Sequence, residues 1–353
     1  MKYIFTFLSC LLLFSVLYAE EARYYEKIQK TDVQCLLCPR ECFLKDGQTG
    51  VCTVRKNIDG KLQSLVYAKV CSLNLDPIEK KPLFHFLPQT TTLSIATAGC
   101  NLRCVFCQNW SISQAKPENV VSQELLPEEV IKIAKEKHSP SISYTYSEPT
   151  VFYEYMYDTA FLAKEHGIRN VWVTSGYINP KPLKQLCTVL DAANVDLKGF
   201  SKRAYRKVAA AKFEPVLETL KILKENDVWL EVGYLVVPTL NDSQEEIQKL
   251  CDWIVENLGD NVPVHFLRFF PRHKLTNLPP TPVKTLETAY SIAKESGINY
   301  VYLGNVPGHK YENTYCPNCK KLLVERKGYF IEGFHIKKGK CIYCGHKISG
   351  IWE

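Results

Sequence analysis

The run Cys100-Asn101-Leu102-Arg103-Cys104-Val105-Phe106-Cys107 constrains this chain more than any other segment. Its C-x3-C-x2-C spacing supplies thiolates for three irons of a [4Fe-4S] cluster, which leaves the fourth iron without a protein ligand. An open iron can bind the amino and carboxylate groups of S-adenosylmethionine (SAM), donate one electron and cleave a carbon–sulfur bond to release a 5'-deoxyadenosyl radical. A structural zinc site is the alternative, but no fourth ligand follows closely after Cys107.

The other cysteines also occur in groups. The chain has fifteen cysteines in 353 residues, and eleven of them form three clusters. The clusters are Cys35, Cys38, Cys42 and Cys52; Cys100, Cys104 and Cys107; and Cys316, Cys319, Cys341 and Cys344. Such short spacings suit thiolate ligands better than disulfides, which predicts a reducing or anoxic setting. The remaining cysteines, at positions 10, 71, 187 and 251, are expected to be buried thiols.

Composition is that of a globular enzyme, with 46% hydrophobic and 23% charged residues. A chain of 353 residues has room for one large domain with small appendages. The net charge of +7 is mild and no basic stripe is present, so nucleic acid is not an expected partner.

Residues 1–19 resemble a signal peptide, because Lys2 is followed by an apolar stretch from Tyr3 to Tyr18. No twin-arginine pair suggests export of a folded, cluster-loaded protein, and the stretch is short for a spanning helix. An uncleaved anchor, export into an anoxic compartment and a start codon assigned too early all stay open. We expect a cytoplasmic protein, with or without anchoring by this segment, and export is a third option.

From about residue 91, short β-branched or aromatic runs alternate with amphipathic stretches, which predicts repeated βα units. The expected strands are Leu93–Thr97, Ile142–Tyr146, Asn170–Thr174, Asn194–Leu197, Val228–Val236, Val264–Phe269 and Tyr300–Leu303. The expected helices are Pro127–Lys137, Val151–His166, Pro180–Leu190, Glu214–Asn226, Ser243–Leu258 and Val283–Ser296. The pattern therefore predicts an α/β fold with a partial (β/α) barrel over residues 91–306, since a full eight-stranded barrel needs more chain.

Two cysteine-rich segments flank the predicted barrel. Residues 30–90 are rich in turn signals and are expected to form a small subdomain, in which C-x2-C-x3-C-x9-C could hold zinc or an auxiliary iron–sulfur cluster. A purely structural metal is the simpler interpretation of that group. Residues 307–353 carry two C-x2-C pairs separated by 21 residues, which resembles a zinc ribbon.

Polar residues follow the predicted strands at the ends where barrel enzymes place their chemistry. Glu148 is a candidate partner for the SAM amino group, although a charge at a helix N-terminus is the alternative. Asp196 and Lys198 point to one side of their strand and could bind SAM or a substrate carboxylate, with a surface salt bridge as the alternative. His265 and His273 compete for one further role, and His265 could equally be a core histidine.

The cysteine run with Phe106 resembles the motif of radical SAM enzymes, in which an aromatic residue commonly packs against the cluster. Thr174-Ser175-Gly176-Tyr177, Asp196-Leu197-Lys198 and Val236-Val237-Pro238 are similar to segments of pyruvate formate-lyase activating enzyme. Ser147 and Pro149 depart from the Gly-Gly-Glu motif usual around the position of Glu148. The activating enzyme carries an acid where this chain has Val173, so Ser175 is the substitute candidate for the ribose contact.

Three further phrases resemble the AmmeMemoRadiSam system radical SAM proteins. They are Cys35-Leu36-Leu37-Cys38-Pro39-Arg40, Asp76-Pro77-Ile78-Glu79-Lys80-Lys81-Pro82-Leu83 and Gly304-Asn305-Val306-Pro307-Gly308-His309. This resemblance implies partners of the AMMECR and Memo families, whereas the activating-enzyme resemblance implies a glycyl radical enzyme as substrate. Either version needs an external one-electron reductant such as flavodoxin or ferredoxin.

A non-catalytic interaction protein, folded around metals, is the alternative from a different functional class. Such a protein would bind zinc at all three cysteine clusters and leave SAM untouched. The missing fourth ligand near Cys107 and the ordered polar residues at the strand ends favour the enzyme.

Overall fold

The computed structural model describes residues 19–353. Residues 1–18 of the signal-like segment, Cys10 among them, lie outside the described residues. Within residues 19–353, no helix is long and apolar enough to cross a membrane.

The described part of the chain begins with short antiparallel strands that form two three-stranded sheets, in the orders β1-β6-β5 and β2-β3-β4. Their bounds are β1 Glu20–Glu21, β2 Tyr25–Gln29, β3 Asp32–Cys35, β4 Phe43–Leu44, β5 Arg55–Ile58 and β6 Lys61–Ser64. A further strand outside these two sheets, β7, is Lys69–Val70. The buried side chain of Asn57 donates to the carbonyls of Thr31, at 2.6 Å, and Leu44, at 2.9 Å. These bonds satisfy backbone acceptors that two-residue strands leave unpaired, so they hold the small sheets together.

The central sheet has eight strands in the order β16-β15-β14-β13-β12-β11-β9-β8. Their bounds are β8 Ser72–Pro77, β9 Thr91–Ala96, β11 Ser141–Tyr144, β12 Arg169–Thr174, β13 Ala192–Leu197, β14 Trp229–Val236, β15 Val264–Arg268 and β16 Val301–Gly304, while the two-residue β10 (Gln123–Glu124) pairs with β7. From β9 onward the pairs in this sheet are parallel, and β8 adds an antiparallel edge. The seven parallel strands are largely buried, as strands covered by helices must be.

Helices alternate with these strands. Their bounds are α1 Trp110–Ser113, α2 Pro127–Glu136, α3 Tyr153–Glu165, α4 Pro180–Cys187, α5 Lys202–Ala209, α6 Glu214–Glu225, α7 Gln244–Leu258 and α8 Val283–Glu295. Ser201 and Ser243 begin α5 and α7, and each hydroxyl accepts a hydrogen bond from a backbone N–H of the first turn. Such caps satisfy donors that the helix itself leaves free.

The C-terminal residues form a small β module with strands β17 Thr314–Tyr315, β18 Leu322–Lys327, β19 Phe330–Phe334, β20 Ile336–Lys337 and β21 Lys340–Cys341. Its core, including Leu323 and Val324, packs against Tyr300 and Tyr302 at the β16 edge of the central sheet. The buried His85 joins the two parts, because its Nδ1 lies 2.6 Å from the Ser349 carbonyl and its Nε2 lies 2.5 Å from the Tyr302 hydroxyl.

The predicted α/β class and partial barrel are confirmed, and each of the seven predicted strands lies within two residues of an observed one. The strand predicted to reach Tyr146 ends at Tyr144, because Tyr146 itself has a left-handed backbone with φ of 62°. The sheet begins at Ser72, inside the segment that we assigned to the N-terminal subdomain. The sequence analysis also missed helix α5.

Candidate functional site

A cavity of about 460 Å³ opens at the carboxyl ends of the parallel strands. All eight residues predicted to bind the cluster or SAM line it: Cys100, Cys104, Phe106, Cys107, Glu148, Ser175, Asp196 and Lys198. They come from the ends of four neighbouring strands, β9, β11, β12 and β13. Parallel strands deliver the groups that follow them to one edge of a sheet, which explains why residues distant in sequence meet here.

The cysteine loop is pressed against the N-terminal subdomain at Gly99. This residue has φ of 100°, and a Cβ atom there would lie 2.5 Å from Val54 Cγ1 and 2.8 Å from the Cys52 carbonyl oxygen. Only glycine fits both the backbone conformation and the space. The loop therefore reaches the cavity with its start fixed in place.

Helix α5 supports the middle of the same loop. The backbone N–H groups of Arg103 and Val105 donate to the carbonyls of Ala209, at 3.0 Å, and Val208, at 2.9 Å. These carbonyls lie at the helix C-terminus, where no helical partner is available. The helix that sequence reasoning missed thus positions Cys104, which lies between the two bonded residues.

The chemistry of the three thiols fits a cluster bound at three irons. Burial raises the pKa of the Cys104 thiol to about 12, although the ammonium of Lys198 opposes this shift. Burial and the nearby Glu148 carboxylate raise the pKa of Cys100 well above its usual range. Thiols of this kind stay protonated until a metal displaces the proton. Phe106, which is 4% exposed, closes one side of the site with its ring 6.5 Å from that of Phe269.

Glu148 accepts five hydrogen bonds and is buried. Its Oε1 accepts from the Thr150 N–H and the hydroxyls of Thr150 and Thr174, and its Oε2 accepts from the N–H and the hydroxyl of Ser175. The first of these bonds caps the short helical turn Pro149–Phe152. The helix-terminal role that the sequence offered as the alternative is therefore present in the structure, and a SAM contact by Glu148 stays a prediction.

Asp196 and Lys198 form an ion pair in the cavity wall, with Lys198 Nζ 3.0 Å from Asp196 Oδ2. The lysine side chain is 15% exposed and the aspartate 33%, so the pair is not an ordinary surface salt bridge. Burial by itself would lower the pKa of Lys198, but the charge of Asp196 and its hydrogen bond to the ammonium act in the opposite direction and the pKa is raised. Lys198 therefore keeps its positive charge. A Cβ at Gly233 would lie 2.5 Å from Asp196 Oδ1, so glycine on the adjacent strand makes room for this pair.

The two candidate histidines have different surroundings. His265 is buried, and its Nε2 lies 2.6 Å from Glu231 Oε2. The same carboxylate accepts from the backbone N–H groups of Phe84 and His85, which makes His265 part of a core network at the base of the cavity. His273 stacks on Trp110, with 5.4 Å between the ring centroids, and does not line the cavity.

Several cavity residues were missed from the sequence. Lys80 and Lys81 line the cavity, and Lys81 Nζ lies 2.6 Å from Asp76 Oδ2. Burial lowers the pKa of Lys81 to about 8, although Asp76 opposes this shift. The one feature that could have indicated these lysines is their place just before the first parallel strand. Strand β8, which they follow, pairs with β9 and so brings their segment beside the barrel.

The C-terminal module also reaches the cavity, through Glu312, Gly328 and Tyr329. By contrast, Asn241, which follows strand β14, does not line the cavity. The Asn241 side chain instead accepts from Val237 N–H and donates to the carbonyls of Leu235 and Lys198, which fixes the loop below the site.

The four C-terminal cysteines bring their sulfur atoms together. Cys316 Sγ lies 3.6 Å from Cys344 Sγ, and Cys319 Sγ lies 3.8 Å from Cys341 Sγ. All four sulfurs lie within 4.8 Å of one another. Tetrahedral zinc with zinc–sulfur bonds of about 2.3 Å places its ligand sulfurs about 3.8 Å apart, so this group is compatible with a zinc-ribbon-like site.

The parallel sheet and the three-cysteine loop at its edge define an α/β protein with a partial barrel that holds a group of thiols in its mouth. Residues 94–254 match the model of the radical SAM superfamily. An uncharacterized protein of Methanocaldococcus jannaschii, MJ0808, is 49% identical over 331 residues, which cover 93% of this chain and 98% of that protein. The chain belongs to the radical SAM superfamily.

More distant similarities extend to named enzymes. The pyruvate formate-lyase-activating enzyme of Clostridium pasteurianum is 26% identical over 181 residues, covering 50% of this chain and 73% of that enzyme. Among solved structures, a radical SAM methyltransferase from Sphaerobacter thermophilus matches with a TM-score of 0.49 and 17% identity, covering 62% of this chain and 68% of that one. The resemblance to the AmmeMemoRadiSam proteins stays a prediction.

Proposed function

We propose that this protein reductively cleaves SAM and uses the 5'-deoxyadenosyl radical to abstract hydrogen from a substrate. The observation that carries the proposal is the meeting of all eight predicted residues in one cavity of about 460 Å³. Cavities of a few hundred Å³ with a small number of convergent polar groups are typical of small-molecule sites. Membership of the radical SAM superfamily supports the same chemistry.

In this proposal Cys100, Cys104 and Cys107 hold the [4Fe-4S] cluster, which supplies the electron and an open iron for SAM. The other residues position SAM by charge. Lys198 offers an ammonium to its carboxylate, and Asp196 offers a carboxylate to its amino group. Glu148 acts on the same ligand through Ser175, because its two hydrogen bonds fix the position of Ser175 in the cavity wall. An external reductant such as flavodoxin or ferredoxin supplies the electron.

The substrate follows one of two versions. In the first, the enzyme activates a glycyl radical enzyme, as its pyruvate formate-lyase-activating relatives activate pyruvate formate-lyase. In the second, it modifies a small molecule or a protein together with AMMECR and Memo family proteins. The C-terminal module lines the cavity through Glu312, Gly328 and Tyr329. In either version this module would therefore contact the substrate.

The two versions are separated by measuring 5'-deoxyadenosine formation with added protein partners. A glycyl radical enzyme from the same organism, or its AMMECR and Memo proteins, is mixed with the reduced enzyme and SAM. The true substrate increases product formation in proportion to its concentration, and a glycyl radical gives an electron paramagnetic resonance (EPR) doublet. If every addition leaves the basal rate unchanged, the glycyl radical version is wrong and the AMMECR and Memo proteins are not themselves the substrate. If the protein is instead a non-catalytic interaction protein folded around metals, no 5'-deoxyadenosine forms under any of these conditions.

A further inference from the structure

A second cavity, of about 20 Å³, lies between the N-terminal subdomain and the barrel. Cys35, Cys38, Cys42 and Cys52 line it together, although they come from separate loops and strands. Three of the four are buried and Cys42 is partly buried. Their side chains thus enclose a small space, and none of them is in a disulfide bond.

The spacing of the sulfur atoms separates the three cysteine clusters of the chain. Among residues 19–353, only the C-terminal four bring their ligand atoms close enough together to hold a single ion, all within 4.8 Å. Neither the N-terminal four nor the catalytic three form such a group. A tetrahedral zinc needs sulfurs about 3.8 Å apart, whereas a cluster with one cysteine on each iron holds them farther apart. The N-terminal four thus share one property with Cys100, Cys104 and Cys107, since among the described residues neither set forms a single-ion group.

We infer that Cys35, Cys38, Cys42 and Cys52 bind a second [4Fe-4S] cluster, with one cysteine on each iron. The cavity marks the place between the four thiols where this centre would sit.

Charged donors around this cavity point to an anionic occupant. Arg55 is 2% exposed and lines the cavity, and its Nε and Nη1 have no hydrogen-bond partner. Its Nη2 is bound to Glu154, so the side chain is anchored with two donors left over. Arg40 lines the same cavity and has an unpartnered Nη2. Buried donors normally have partners, and sulfurs of a thiolate-ligated cluster would accept these hydrogen bonds.

The site adjoins the catalytic loop. Asn101 lines the small cavity, while Cys100, its neighbour in sequence, lines the large one. The Cys52 carbonyl packs against Gly99 on the same wall. A cluster with a cysteine on every iron has no open position for a substrate, so its role would be outer-sphere electron transfer. One electron from the external reductant would reduce this cluster and pass to the catalytic one, with no bond made or broken. This role, unlike the site itself, rests on the proposed function.

Metal analysis of the unaltered protein, purified without oxygen and without added iron, tests the site. We expect about eight iron and eight sulfide ions per chain, with about one zinc in the C-terminal group. About four iron and two zinc ions per chain would overturn the inference. The count needs no substitution, so a folding defect cannot obscure it.

A matched pair of variants assigns the second cluster. Cys42→Ala is expected to lose about half of the iron and sulfide, whereas Cys187→Ala, which removes a buried thiol elsewhere, should keep all of it. Equal iron content in both variants would contradict the assignment. For the electron-transfer role, Cys42→Ala should lose SAM cleavage driven by flavodoxin but keep cleavage driven by dithionite, which can reach the catalytic cluster directly. Equal losses with the two reductants would exclude that role and leave the site in place.

Discussion

The Glu148 carboxylate and Ser175 are joined by two hydrogen bonds, at 2.9 Å from the serine N–H and 2.6 Å from its hydroxyl, both to Oε2. These bonds tie the ends of strands β11 and β12 together at the mouth of the large cavity. A carboxylate can accept all of the surrounding donors, whereas an amide has only one oxygen.

We therefore expect Glu148→Gln to lower the free energy of unfolding by about 1–3 kcal/mol, because buried donors lose their acceptor. The variant should also bind SAM more weakly, since Ser175 loses its fixed position. Ser175→Ala removes only the hydroxyl and should lose about 1 kcal/mol, which gives the share of the effect that comes from this one hydrogen bond. Denaturant unfolding and calorimetric SAM titration measure the two effects. Full stability of Glu148→Gln would show that the five hydrogen bonds do not hold the site.

The charge of Lys198 gives a second prediction. Its raised pKa keeps it protonated at neutral pH, so Lys198→Met should weaken SAM binding by about 1.5–3 kcal/mol, the range for hydrogen bonds to charged groups. Lys202→Met is the control, because that side chain is 79% exposed and pairs with Glu214 outside the cavity. Equal SAM affinity in the two variants would exclude a carboxylate contact by Lys198.

Stability should fall in mild acid because of His85. Burial lowers the pKa of His85 to about 4 in the folded protein, with Arg326 and His265 acting in the same direction and Glu231 opposing them. The unfolded chain binds the proton near pH 6.5, so folding loses stability as the pH falls from about 6.5 towards 4. Between pH 7.5 and 5.5 the contribution is roughly 1.4 kcal/mol.

Unfolding measured at both pH values, for the wild type and two histidine variants, tests this contribution. His85→Gln should flatten the pH dependence, although it also lowers stability at neutral pH. His138→Gln, at an exposed position, should keep the full slope. A slope that survives in His85→Gln would assign the effect to other groups.

The C-terminal cysteines give a fourth prediction. The protein should contain about one zinc ion in this group, and Cys344→Ser should lose it. Because Trp352 packs near Phe334 of the same module and near His85 of the adjoining part of the chain, zinc loss should shift tryptophan fluorescence towards that of an exposed indole. Cys71→Ser, at a thiol outside the three clusters, should change neither the zinc content nor the fluorescence. A folded module without zinc would mean that its β-sheet core suffices.

Much of the barrel could be predicted because its strands are continuous apolar runs flanked by amphipathic helices. Strand β8 could not, since the Ser72–Pro77 segment has a mixed pattern and is ordered by pairing with β9. The N-terminal sheets were missed for a related reason, because strands of two to five residues carry no clear period. Helix α5 is similarly short and begins directly after the Asp196–Lys198 segment.

The cavity residues follow the same division. Motif spacing identified Cys100, Cys104 and Cys107, and strand periodicity placed Asp196 and Lys198 on one side. The partners of Glu148 come from a different strand, so no local pattern could reveal them. Lys81 likewise enters the cavity through the tertiary position of β8 and its bond to Asp76.

Formation of 5'-deoxyadenosine tests the central claim most directly. The protein lacking its first nineteen residues is reconstituted with iron and sulfide under anoxia, reduced with dithionite and mixed with SAM, and the products are separated by chromatography. The account predicts 5'-deoxyadenosine from the wild type and from Cys187→Ala, and none from Cys104→Ala. A cluster-loaded wild type that forms no 5'-deoxyadenosine, or a Cys104→Ala variant that forms as much as the wild type, would contradict it.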